Sequence, residues 1–114
     1  MPDTYPPLAA ATLDLLRRAS TATISAQLLK HGIRRTFMRG VHPLRPQDRM
    51  AGIAFTLRYV PAREDLDPGV QYDNTTNVQR LAIERVGPGE ILVIDARGDR
   101  SAATLGNILA ARLR

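Results

Sequence analysis

The chain has no cysteine and no tryptophan among its 114 residues, and only 4% of its residues are aromatic. The absence of cysteine excludes disulfides, thiolate metal sites and a cysteine nucleophile. The scarcity of aromatic side chains leaves little surface on which nucleic-acid bases could stack. Lysine is almost missing as well, because Lys30 is the only one and arginine supplies the rest of the positive charge.

Long apolar runs are also missing, and none approaches the roughly 20 residues that a helix needs to cross a bilayer. The first seven residues are rich in proline, which predicts an extended lead-in, and they lack the basic and apolar regions of a signal peptide. We therefore expect a cytoplasmic protein with no membrane contact.

The net charge of +5 has two interpretations. It can mark a surface for nucleic acid, acidic lipid or an anionic substrate, or it can reflect a general replacement of lysine by arginine. We favour the second interpretation because the arginines are scattered and form no long block. Together with the few aromatic residues, this makes nucleic acid a disfavoured partner.

Two helices are predicted in the first third of the chain. Leucines among alanines indicate a helix over residues 8–19. A second helix is expected over residues 23–31, with Ser20 or Thr21 as its N-terminal cap and Gly32 as its end.

Strands and a third helix are predicted further on. Residues 36–41 suggest a short strand, and residues 51–60 form a better one in which large apolar side chains alternate with small or polar ones. An acidic, polar connection covers residues 62–73. Residues 73–86 then have the spacing of a helix, with Thr75 or Thr76 as its N-terminal cap.

The rest of the chain is organised around a turn, an apolar strand, a polar loop and a helix over residues 89–113. Ile91 to Ile94 is an unbroken apolar run, typical of a strand covered on both faces in the parallel sheet of an α/β fold. Asp95 is the first polar residue at the carboxyl end of that strand, where ligands bind in open α/β sheets. The last helix is predicted over residues 101–113.

A strand followed by a packing helix is half of a βαβ unit, and the helix should lead to the next parallel strand. The sequence ends at Arg114 without such a strand. We therefore expect residues 1–19 to be a lead-in and helix, and residues 20–114 to be the N-terminal part of a single domain whose C-terminal part is absent. The alternative is a small domain that ends on a helix.

Candidate metal ligands are few. His31 and His42 are separated by loop and strand and have no metal-binding spacing. Asp73, Asp95 and Asp99 are the carboxylates that could bind Mg²⁺ from loops, but the last two are equally expected to cap the next helix or its loop. Serine and threonine hydroxyls lack the nucleophile elbow of serine hydrolases, which disfavours covalent catalysis.

A backbone anion site is the better hypothesis from the residues alone. The segment Gly106 to Leu109 belongs to the helix after the apolar strand. A glycine near a helix start lets an anion approach the free backbone N–H groups. The alternative is that Gly106 is only a close packing point between helix and strand.

Seven segments occur in an order that resembles a known family. They are Ser20 to Ser25, Gly40 to Leu44, Ala51 to Thr56, Asp73-Asn74, Ala82-Ile83, Pro88 to Asp95, and Ala103 to Leu109. This ordered set is similar to the RraA-like family, which includes 4-hydroxy-4-methyl-2-oxoglutarate/4-carboxy-4-hydroxy-2-oxoadipate aldolases and the regulator of ribonuclease E activity. The resemblance runs from about residue 20 to residue 113.

The resemblance implies an α/β/α swivelling-type domain, incomplete in this chain, that assembles as homotrimers or homohexamers with sites between subunits. It also implies a lyase that uses Mg²⁺ or Mn²⁺ to cleave a 4-hydroxy-2-oxo acid or oxaloacetate, both small anionic 2-oxo acids, to pyruvate. The backbone amides that hold pyruvate in such members map here to Gly106, Asn107, Ile108 and Leu109.

Two departures from the aldolase pattern bear on catalysis. Aldolase members usually carry Asp or Glu directly after the glycine, where this chain has Asn107, so Asn107 is a candidate catalytic residue only by position. The family's metal-binding aspartate lies in a segment beyond Arg114, which leaves no expected metal ligand in this chain. The second functional interpretation is therefore a non-catalytic regulator of ribonuclease activity that acts by protein contact.

Overall fold

The computed structural model describes residues 6–67, 69 and 73–113. Most of the predicted extended lead-in (residues 1–5), part of the acidic connection (residues 68 and 70–72) and Arg114 lie outside the described residues. The chain divides into two compact units, Met1–Gly52 and Ile53–Arg114. The predicted division after residue 19 stays a prediction.

The first unit contains helices α1 (Ala10–Arg18) and α2 (Thr21–Lys30). The Ser20 hydroxyl caps α2 by accepting a hydrogen bond from the backbone N–H of Thr23 at 3.1 Å. This confirms the predicted cap and places the helix start two residues earlier than predicted. Gly32 ends α2 with a φ of +77°, as a C-terminal glycine should.

The predicted strand over residues 36–41 is wrong, because this segment is loop. Left-handed backbone angles interrupt a continuous strand there, since Arg35, just before the segment, has a φ of +55° and Gly40, within it, a φ of +75°. The hydroxyl of Thr36 instead donates to the hydroxyl of Ser25 on α2 at 3.3 Å. A short segment with strand-forming residues therefore did not make a strand without a partner to pair with.

The second unit contains strand β1 (Ile53–Arg58), helix α3 (Val78–Arg85), strand β2 (Glu90–Asp95) and helix α4 (Asn107–Arg112). The two strands pair in parallel, from Ile53 opposite Glu90 to Arg58 opposite Asp95. β1, α3 and β2 thus form a βαβ unit, which confirms the α/β class and the parallel sheet.

The core of the second unit is small. Leu57 on β1 and Ala82 and Ile83 on α3 are the buried apolar side chains of the described residues. The prediction that β2 is covered on both faces is wrong here, because Glu90 to Ile94 are only half-buried and Asp95 is exposed. Among the described residues β2 has β1 as its one neighbouring strand, so one edge of β2 is not paired.

The two helices of the second unit, α3 and α4, begin later than predicted, and in both cases an aspartate organises a turn close to the predicted start. The Asp73 carboxylate accepts hydrogen bonds from the N–H of Thr75 at 2.8 Å and from its hydroxyl at 2.7 Å. That turn delays α3, so that Asn77 caps it rather than either predicted threonine. Likewise, α4 begins at Asn107 rather than at Ser101.

Candidate functional site

An ion pair closes the carboxyl edge of the sheet. Arg58 and Asp95 are opposite each other as the last residues of β1 and β2, and Arg58 Nε lies 3.1 Å from Asp95 Oδ2. The other oxygen, Oδ1, accepts a hydrogen bond from the backbone N–H of Arg97 at 2.9 Å. That N–H and the Arg58 guanidinium lower the pKa of Asp95, so it is ionised at neutral pH.

The polar loop after β2 is a tight turn held by a second aspartate. Arg97 and Gly98 both have left-handed φ angles, of +56° and +76°. The N–H of Asp99 donates to the carbonyl of Ala96 at 3.0 Å, and the Asp99 carboxylate accepts from the N–H of Ser101 at 2.8 Å. Hydrogen bonds from Ser101 lower the pKa of Asp99. Both carboxylates therefore shape the loop, as one of the two interpretations of Asp95 and Asp99 predicted.

A cavity of about 440 Å³ lies beside this loop, at the end of the sheet where ligands bind in α/β proteins. It is lined by residues 59–62, which follow β1, and by residues between positions 96 and 104, which follow β2. Its volume lies within the range of small-molecule sites. Asp99 and Arg97 supply opposite charges to its wall.

Tyr59 is the most unusual residue on the wall of this cavity. Its hydroxyl oxygen is buried and has no hydrogen-bond partner among the described residues. Burial raises the pKa of the phenol, and the nearby Gln79 side chain acts in the opposite direction. The Gln79 amide donates a hydrogen bond to the carbonyl of Thr104, which ties α3 to the loop before α4.

The predicted anion site lies at the start of α4. Gly106 is the N-cap, and it has no side-chain capping bond. The first intrahelical bond runs from the N–H of Ala110 to the carbonyl of Gly106 at 2.9 Å, so the N–H groups of Asn107, Ile108 and Leu109 have no acceptor within the helix. A Cβ added at Gly106 would meet nothing within 4 Å, so the alternative interpretation as a packing point is wrong.

The side chains of the predicted site do not converge. Ile108 and Leu109 line a second cavity, of about 450 Å³, together with residues of α3. Arg112 of α4 donates two hydrogen bonds to Glu84 of α3, at 3.0 and 2.8 Å, and this pairing lowers the pKa of Glu84. Asn107 lines neither of these two cavities. The part of residues 106–109 that is available for chemistry is therefore the backbone.

Metal ligands do not cluster in the part of the chain that the structure describes. No group of three or more histidine or acidic side chains there could hold a metal ion. His31 is the C-cap of α2, and His42 lies in an exposed loop. Within the same described residues, no helix is both long enough and apolar enough to span a bilayer.

Arg58, Tyr59 and Gln79 were missed as site residues by sequence reasoning. Arg58 and Tyr59 belong to the alternating pattern predicted over residues 51–60, which indicated only which face each occupies. The position of Arg58 opposite Asp95 depends on the strand register, for which the sequence carries no signal. A polar residue at the end of a predicted parallel strand was the signal that could have identified Arg58.

The comparisons with known proteins identify the family. The sequence model of the RraA-like family, described as Aldolase/RraA, matches residues 21–114. No curated protein and no solved structure matches the chain. The matched residues cover most of the sequence and include the parallel sheet, the loop after β2 and the start of α4. The chain therefore belongs to the RraA-like family.

Proposed function

We propose that this protein is a metal-dependent aldolase or decarboxylase-type lyase that converts a 4-hydroxy-2-oxo acid or oxaloacetate to pyruvate. The family includes aldolases as well as regulators, so membership by itself fits either role. The observation that favours a ligand site is the open backbone at Gly106, where three consecutive N–H groups follow a residue without a side chain.

The start of α4 suits the negative charge of such a substrate. Cleavage of either substrate class leaves the enolate of pyruvate, which carries a carboxylate and a second developing negative charge. The N–H groups of Asn107, Ile108 and Leu109 are oriented hydrogen-bond donors, from which such an anion can accept hydrogen bonds. Because α4 has only six residues, these donors, rather than a large helix dipole, would carry the stabilisation.

The described residues do not fit a complete metal site. Asp95 forms an ion pair with Arg58, and the Asp99 carboxylate accepts a hydrogen bond from Ser101. In the described parts of the chain, no third acidic or imidazole group lies close enough to complete a metal site with them. Dependence on Mg²⁺ or Mn²⁺, which would act as a Lewis acid on the 2-oxo group, is proposed from the family resemblance.

Asn107 supports the alternative, a regulator that acts by protein contact. An amide cannot act as a general base, and it binds a cation more weakly than a carboxylate does. Assembly into trimers or hexamers is proposed for either function. The exposure of large apolar side chains, such as Ile108 at 81%, is consistent with such contacts.

The direct test is pyruvate release from oxaloacetate and from 4-hydroxy-4-methyl-2-oxoglutarate by the purified protein. We expect turnover with Mg²⁺ or Mn²⁺ that is lost with EDTA and restored by excess metal. If no metal-dependent turnover occurs on either substrate, and the protein inhibits RNA cleavage by a purified ribonuclease E-type enzyme, then the regulator is the correct function.

Gly106→Ala tests the backbone site. A methyl group at residue 106 would obstruct the approach of an anion to the N–H groups that follow, so pyruvate formation should fall by about tenfold or more. All three donors remain, and complete loss of one oxyanion donor, ~10²-fold or more, is the upper limit of the effect. The free energy of unfolding should change by less than about 0.5 kcal/mol, because the poorer cap and the more restricted unfolded chain act in opposite directions. Turnover assays and urea unfolding measure the two effects.

Gly87→Ala is the matched control, because a Cβ there makes only an ordinary contact, 3.6 Å from the Glu90 carboxylate. Turnover of this variant should equal that of the unmodified protein. Equal activity of the two alanine variants would contradict a ligand site at Gly106.

Asn107→Asp tests whether the amide limits catalysis. We expect metal-dependent turnover to rise, because the substitution restores the acidic residue that aldolase members of the family carry. Asn107→Ala is the control and should not show the rise. An unchanged rate in Asn107→Asp would mean that the acidic residue is not limiting.

A further inference from the structure

The excess positive charge belongs entirely to the first unit. The first 52 residues contain eight arginine or lysine residues and three aspartates, whereas the remaining 62 contain eight basic and eight acidic residues. The net charge of +5 is therefore not spread over the protein as the sequence suggested. A local excess of this kind raises the concentration of anionic partners near the unit that carries it.

Part of this charge surrounds an open cleft of about 750 Å³ formed by α2 and the segment that follows it. The Gly32 N–H bonds to the carbonyl of Leu29, and the Ile33 N–H bonds to the carbonyl of Leu28, both at 3.0 Å. These two bonds turn the chain back after the helix. The hydrogen bond from Thr36 to Ser25 then joins the returning segment to α2.

Three arginines line this cleft, which we call the basic cleft: Arg34, Arg35 and Arg39. None of them has an ion pair or hydrogen bond to another described residue, although five other arginines of the described chain form ion pairs. Arg35 also has a left-handed φ of +55°, which is uncommon for a residue with a side chain. The cleft thus offers three guanidinium groups available to an external anion.

The walls between these arginines are apolar. Leu29, Ile33 and Phe37 line the basic cleft and are 59%, 51% and 63% exposed. Apolar walls interleaved with guanidinium groups complement a chain that alternates carboxylates with large apolar side chains. An RNA strand would match the charges, but the cleft has a single aromatic ring on which bases could stack.

We propose that the basic cleft binds an acidic peptide segment of a partner protein, whose carboxylates pair with Arg34, Arg35 and Arg39. One or two apolar side chains of that segment lie against Ile33 and Phe37. The inference is independent of whether the protein is a lyase, since the cleft belongs to the first unit and the start of α4 to the second.

The probe is a short fluorescein-labelled peptide in which glutamates alternate with leucine and phenylalanine, and binding is measured by anisotropy with the full-length protein. We expect saturable binding that weakens as salt rises. A peptide with serine at the apolar positions should bind more weakly. A single-stranded RNA with the same number of negative charges should also bind more weakly than the acidic peptide.

Two double variants with equal loss of charge locate the site. Arg34→Gln with Arg39→Gln should weaken binding by about fivefold or more, the effect expected from two surface charge pairs. Arg85→Gln with Arg100→Gln removes two exposed arginines of the second unit and should leave binding within about twofold. Circular dichroism checks that both variants keep their helices.

Phe37→Ser should weaken binding of the apolar peptide without affecting the serine peptide. Leu66→Ser, at a similarly exposed position of the second unit, should affect binding of neither peptide. Equal losses in the two double variants would overturn the proposal, since binding would then follow net charge alone. Tighter binding of RNA than of peptide would overturn it as well, and so would no binding of either.

Discussion

The two compact units of this protein are stabilised in different ways. In the first unit, α1 and α2 contain no buried residue, and the clearest determinants of structure are local: the Ser20 cap and the turn at Gly32. In the second unit, the strands β1 and β2 pair across more than 30 residues of sequence, and the buried side chains lie on β1 and α3. Local signals thus dominate one unit and long-range packing the other.

The comparison explains why the two candidate sites differ in kind. Because α1 and α2 bury no residue completely, the first unit leaves arginines and apolar side chains exposed together, which produces the basic cleft. Parallel pairing in the second unit brings the carboxyl ends of two strands to one edge and places Arg58 beside Asp95. A surface suited to a partner therefore comes from incomplete packing, and an edge suited to a small ligand comes from strand register.

The largest effect is expected from Ile83→Ala, because Ile83 is 4% exposed and belongs to the small core. Truncation of a buried isoleucine removes apolar burial and leaves a cavity, which costs ~2–5 kcal/mol. Urea unfolding should show a lower midpoint with an unchanged slope.

The control is Ile33→Ala, because Ile33 is about half exposed in the first unit. We expect it to cost less than about 1 kcal/mol. Similar costs for the two variants would show that the two units do not differ in how they are stabilised.

A smaller effect is expected at the helix caps, where the two units should behave alike. The Ser20 and Asn77 side chains each accept a hydrogen bond at 3.1 Å, from the N–H of Thr23 and Arg80. Alanine at either position should lower the free energy of unfolding by ~1 kcal/mol, since one backbone N–H loses its acceptor. Ser20→Gly should cost only a few tenths of a kcal/mol. If the two alanine variants lose very different free energies of unfolding, tertiary contacts and not capping hold one of these side chains.

The smallest expected effect is the loss of folding stability at low pH. The pKa values of Asp95, Asp99 and Glu84 are lowered in the folded second unit, by hydrogen bonds and, for Asp95 and Glu84, also by neighbouring arginines. Such groups stabilise the fold above their unfolded pKa, about 4, and this stabilisation is lost as the pH falls through the lower folded values. Because all three are exposed, the loss should be small and should shrink as salt rises.

Asp95→Asn checks this acid dependence. The variant should be slightly less stable than the unmodified protein at neutral pH, and the difference in denaturant midpoints should shrink as the pH falls below about 4. Glu64→Gln removes an exposed carboxylate that has no ion pair within the described residues and should show no such difference. A constant difference at all pH values would mean that Asp95 contributes through packing rather than through its charge.

Sequence patterns predicted the elements that local chemistry specifies. The position of β1 followed from alternation, and the end of α2 followed from Gly32. The predictions of a strand at residues 36–41 and of early starts for α3 and α4 were wrong. A residue pattern does not show whether a strand has a partner to pair with, or whether an aspartate holds a turn where a helix was expected. At the candidate site, Gly106 and Asp95 were identified from sequence, but Arg58 and Tyr59 were not.

The sequence by itself determined the family, the α/β class, the Ser20 cap of α2 and the glycine at the start of α4, because each depends on residue type and order along the chain. Only the tertiary structure decided that Arg58 meets Asp95, that the Tyr59 hydroxyl oxygen is buried, and that the loop after β1 and the loop after β2 line one cavity. The physical reason is that register and chain reversal bring together residues that are distant in sequence, and these contacts carry no local signature.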